Sequence, residues 1–205
     1  MPALEIPRHH DGRPSLGHVN LMVDTFIANA TADDLRSIAR NILATGPPGI
    51  AAVFSNAARQ RLRQTSTKAY PCPHPLFLSD SPEQSAVPSP QLHQTLMKAR
   101  SMYGAGLGFA SLDLLTSVAR ATIGLRWEDD SDMAQTLALI DSDISQAIQS
   151  SKEEIQARRV DDLPSARNTR EALRHVVQDC LNDVKSWGGE FPFERAQASL
   201  ECWKF

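Results

Sequence analysis

The sequence predicts an all-α protein: a helical bundle of about seven helices with a long C-terminal antiparallel helical hairpin. Two observations carry that expectation. Apolar residues recur at threes and fours over most of the chain, which places them on one face of a helix, and no stretch alternates them in the period of a strand. Helix start and stop residues bracket several of these stretches. A chain of 205 residues with 41% hydrophobic and 22% charged content can build one ordinary globular core.

Residues 1–14 hold Pro2, Pro7, Pro14 and Gly12 with few apolar positions and read as a flexible arm, leaving a single helical domain over 15–205. Leu16, Val19, Val23, Phe26 and Ile27 share a face of the first helix. Thr31 and Asp34 have the spacing of a capping box and start a second. Its expected buried stripe is Leu35, Ile38, Ala39, Ile42 and Leu43, and Gly46-Pro47-Pro48 ends it. A third helix over 48–64 would turn Ile50, Val53, Phe54, Ala57 and Leu62 inward. Its last turn carries Arg59, Arg61 and Arg63, where cations suit the negative end of the helix dipole. Residues 65–90 are rich in Pro and Ser and read as a long loop.

Ser89-Pro90 is an N-cap followed by proline at the first helical position, and the helix it starts runs through Leu92, Leu96, Ala99 and Tyr103. The run Gly104-Ala105-Gly106-Leu107-Gly108 breaks it. Leu112, Leu115, Val118, Ala119, Thr122 and Ile123 mark the next helix. The longest periodic pattern begins at Met133, continues through Leu137, Ile140, Ile144, Ala147, Ile148 and Ile155, and resumes over Ala166, Thr169, Leu173, Val177, Cys180, Val184 and Trp187. The short connector from Arg158 to Pro164 sets the two long helices antiparallel. Gly188-Gly189 ends the second arm and leaves an aromatic tail of Phe191, Phe193, Trp203 and Phe205.

A net charge of −3 gives no general attraction to nucleic acid or an anionic membrane, which argues against both as partners. No apolar run approaches the ~18–20 residues of a membrane span, and the N-terminus lacks the regions of a signal peptide. Three cysteines without paired spacing, Cys72, Cys180 and Cys202, argue against a disulfide framework. A cytoplasmic or nuclear location is the natural expectation.

Candidate chemistry is sparse. The glycine run 104–108 exposes backbone N–H groups as a phosphate-cradling loop does, but it follows no strand, lacks the dinucleotide spacing and has no P-loop lysine. It reads as a tight helix–helix turn. Glu128-Asp129-Asp130-Ser131-Asp132 resembles the aspartate-rich D-D-x-x-D motif of terpene synthases, but Met133 stands at its last position, and acids at a helix start account for the run. Cys72-Pro73-His74 is similar to a haem-regulatory Cys-Pro dipeptide, in a single copy and without the ligand set that zinc needs. No nucleophile elbow or cysteine-enzyme signature occurs. Ser81-Pro82 and Ser89-Pro90 fit proline-directed phosphorylation.

Two residue groups remain as candidate sites. Arg59, Arg61 and Arg63 are a candidate phosphate-binding face, and Phe191, Phe193, Trp203 and Phe205 a candidate protein-binding tail or a cap on the core. The sequence therefore predicts no catalytic, cofactor or metal residues. Its first reading is a non-catalytic interaction or regulatory protein with a protein partner or self-association. The alternative is a small-molecule-binding protein or cofactor-independent enzyme with a pocket between bundle helices.

Overall fold

The structure, a computed structural model, describes residues 19–66, 75–78 and 85–205. The arm over 1–14, Cys72, His74 and Ser81-Pro82 lie outside the described residues. The fold is all-α, as expected, with eight helices among the described residues and one two-residue β ladder. By its contacts the chain falls into two compact units, Met1–Ala51 and Ala52–Phe205.

The first unit holds α1 (Val19–Asn29) and α2 (Ala32–Thr45). The capping box forms as predicted: the Asp34 N–H donates to the Thr31 hydroxyl at 3.1 Å, and the Thr31 N–H donates to the Asp34 carboxylate at 3.3 Å. The expected buried stripe does not form. No residue of α2 is buried, and Ile42 is 49% exposed. Periodicity identifies an apolar face, but burial needs a second layer against that face, and neighbouring residues do not supply one.

Helix α3 (Ile50–Ser66) starts at the boundary, and the second unit carries it from Ala52 on, with β1 (Phe77–Leu78), β2 (Val87–Pro88), α4 (Pro90–Gly104), α5 (Gly108–Arg120), α6 (Asp132–Gln156), α7 (Leu163–Trp187) and α8 (Glu194–Glu201). Helix α3 also departs from expectation, because Val53 (64% exposed) and Phe54 face solvent. The strands pair antiparallel, Phe77 with Pro88 and Leu78 with Val87, inside the segment expected to be a loop. Phe77 and Ala86 are buried, and Ala86 N–H donates to the Arg126 carbonyl at 2.9 Å. Strands this short leave no period for a sequence to display.

Ser89 caps α4 through its hydroxyl, which accepts the Leu92 N–H at 3.2 Å, with Pro90 at the first helical position. That hydroxyl is buried and engaged, which removes Ser89 as an accessible phosphorylation site in this fold. Helix α5 is the centre of the unit, packing against α4, α6 and α7, and its Leu112, Leu115, Val118 and Ala119 are wholly buried. Met133, Leu137, Ile140, Ile144 and Ile148 of α6 are buried as predicted, as are Leu173, Val177, Cys180 and Val184 of α7. The seams of the two long helices meet chiefly through α5 and α8, which lie against both. Gly188, in the left-handed conformation at φ 80°, ends α7.

The tail folds back as α8. Phe193, Ala196, Leu200 and Trp203 join the core, while Phe191 and Phe205 are half-buried at its edge. No helix among the described residues is long and apolar enough to cross a membrane.

Candidate functional site

Three groups of residues compete for a functional role: the apolar faces of α1 and α2, the aromatic tail, and the corner where α4 turns into α5. The corner has the most detailed geometry. Gly106 takes φ +80°, a conformation in which a side chain is strained. Gly108 brings α5 against α6 so closely that a Cβ on it would lie 2.3 Å from the Ser151 backbone nitrogen. The glycine run is therefore a tight helix–helix turn. Polar groups at its two edges are engaged: Phe109 N–H donates to the Glu154 carboxylate at 3.3 Å, and Ser150 donates to the Tyr103 carbonyl at 2.8 Å. A carboxylate of the chain itself thus occupies the N-terminus of α5, where the phosphate cradle would have been.

Arginines reach the same corner from two directions. Arg59 donates to the Ala105 carbonyl at 2.8 Å, and Arg159, from the link after α6, donates to the Gly106 carbonyl at 2.6 Å. Burial lowers the pKa of the Arg59 guanidinium, and the positive charges of Arg159 and Arg63 lower it further, against an opposing pull from Glu154. Arg63 and Arg159 line a hollow of about 500 Å³, floored by Met102, Leu107, Phe109 and Ala166. Asp113 faces the same hollow; burial raises its pKa, opposed by a hydrogen bond with Thr169. Arg61 lies on the opposite side of α3 and lines a separate hollow of about 450 Å³ with Phe54, Leu62 and Arg100. Residues four apart share a helix face and those two apart do not, which unites Arg59 with Arg63 and separates Arg61. The i, i+4 spacing was present in the sequence; Arg159 carried no signal there.

Beside the corner, Arg100 grips Asp143 through three hydrogen bonds of 2.9–3.0 Å, and the Tyr103 hydroxyl donates to the same carboxylate at 3.0 Å. Hydrogen bonding to Asp143 raises the Arg100 pKa, and burial is the main cause that raises that of Tyr103. This cluster joins α4 to α6.

The tail divides. Phe193 and Trp203 are enclosed by the chain's own core, so the fold presents neither ring to a partner. Phe109, Trp203 and Phe205 form one ring cluster with centroids 5.0–6.0 Å apart, and Arg170 lies over the last two. Phe191 borders a third hollow, of about 430 Å³, with Trp127, Glu190 and Arg195.

Fold and surface together define an all-α bundle with exposed apolar helix faces and an arginine-lined hollow. No family model, curated protein or solved structure matches the chain.

Proposed function

We propose that this protein is a non-catalytic helical interaction protein that associates with a second copy of itself through the apolar faces of α1 and α2. The observation that carries the reading is the exposure of Val23, Phe26 and Ile27 on α1 and of Ile38 and Ile42 on α2, spaced at threes and fours. Helices of 11 and 14 residues are near the length at which isolated helices are marginal, so covering these faces stabilises them. A second copy suits the surface because a two-fold contact uses the same patch twice. Helix α2 also carries both signs of charge, Asp33 and Asp34 at its start and Arg36 and Arg40 further on, so an antiparallel copy brings opposite charges together. Burial raises the Cys180 thiol pKa to about 11, which makes that cysteine a poor nucleophile.

Sedimentation of the full chain tests the reading. A concentration-dependent dimer is expected, with Phe26→Asp and Ile42→Asp each shifting it to monomer while the helical circular-dichroism signal persists. A chain that stays monomeric up to concentrations on the order of 100 μM sinks the proposal.

A further inference from the structure

We propose that the hollow between the end of α3, the glycine-rich corner and the link from α6 to α7 binds a phosphate monoester with an apolar body, its phosphate held by Arg59, Arg63 and Arg159. Arg63 and Arg159 line the hollow, and Arg59 stands beside it on the carbonyl next to the one that holds Arg159, near enough for the charges of both to act on it. Among the described residues none of the three has a carboxylate within ion-pair distance. Two of them are held in place by backbone carbonyls, Arg59 by Ala105 and Arg159 by Gly106, so their positions are set before any ligand arrives. Arg63 makes no hydrogen bond among the described residues and is free to close on an anion. Guanidinium forks match phosphate oxygens bidentately, which favours phosphate as the anionic group.

Two of the four carboxylates around the hollow are engaged by backbone N–H groups: Glu154 is buried and accepts from Phe109 N–H, and Asp162 accepts from Ser165 N–H at the start of α7. Asp113, Asp161 and Asp162 are exposed at the rim, where water screens their charge. Below the arginines, Met102, Leu107 and Phe109 offer an apolar floor, and a volume of about 500 Å³ suits a small organic molecule. The proposal is independent of self-association, because every residue it uses lies in the second unit.

Calorimetric titration of the full chain at low salt, with phenyl phosphate, inorganic phosphate, phenol and benzoate as separate probes, tests it. Phenyl phosphate is expected to bind at least about tenfold more tightly than each of the other three, since only it meets both the arginines and the apolar floor. Arg63→Gln and Arg59→Gln should each weaken that binding by about tenfold, whereas Arg61→Gln, on the opposite face of α3, should leave it unchanged. Arg63→Gln should melt with the parent protein, because Arg63 makes no hydrogen bond or ion pair among the described residues. Absence of phenyl phosphate binding at millimolar concentration overturns the proposal. So does benzoate binding as tightly as phenyl phosphate, or Arg61→Gln weakening binding as much as Arg63→Gln.

Discussion

The Asp141 carboxylate accepts the Ala196 N–H at 2.9 Å and the Arg195 N–H at 3.2 Å, so a side chain of α6 caps α8 from 54 and 55 residues away. A helix start carries unsatisfied N–H groups and partial positive charge, and a carboxylate answers both. Phe193, the residue at the N-cap position, makes no side-chain cap of its own.

Burial of Asp141 sets a pH dependence. Its side chain is desolvated, which raises its pKa above the ordinary carboxylate range despite the two backbone hydrogen bonds. A group whose folded pKa is raised contributes stability that is fully present below the unfolded pKa of about 3.9 and is lost as pH rises through the folded pKa. Asp141→Asn removes that titration. The stability of the parent relative to the variant should therefore increase as pH falls from 7 toward 3.5, measured by urea denaturation of both proteins. A difference that moves in the parent's disfavour on acidification would show that the hydrogen bonds outweigh desolvation.

Ile144 is wholly buried on α6, and Gln149, five residues on, is exposed. Ile144→Asp puts a charge into the core without a partner and should cost several kcal/mol, of the order of a domain's entire stability. Gln149→Asp should change stability by less than about 0.5 kcal/mol. Thermal melts of the two variants check this, and equal melting temperatures would contradict the packing of α6.

The two ends of the glycine run should respond oppositely to alanine. Gly108→Ala drives a methyl into the Ser151 backbone and should cost about 1–3 kcal/mol. Gly104 ends α4 with nothing near an added Cβ, so Gly104→Ala should be neutral or stabilise by roughly 0.5–1 kcal/mol through helix propensity. Chemical denaturation of both distinguishes a packing glycine from a merely permissive one. Equal effects would refute the close approach of α5 to α6.

What the sequence by itself determined was local. The capping box at Thr31 and Asp34, the Ser89-Pro90 start of α4, the Gly188 stop of α7 and the apolar faces of α5, α6 and α7 depend on residues within a few positions of each other, and all form as read. What only the tertiary structure decided was partnership. The face on α2 has the same period as the one on α6, yet it stays exposed, because period identifies a face and not what covers it. Helix α8 was missed because eight residues are too few to show a period and its cap comes from Asp141. The β ladder escaped for the same reason of length. In the arginine cluster the sequence supplied Arg59 and Arg63 on one helix, while Arg159 came from nearly a hundred residues away through the turn that Gly106 and Gly108 permit. Spacing along a chain encodes which side chains share a face; which faces then meet depends on the packing of the whole core.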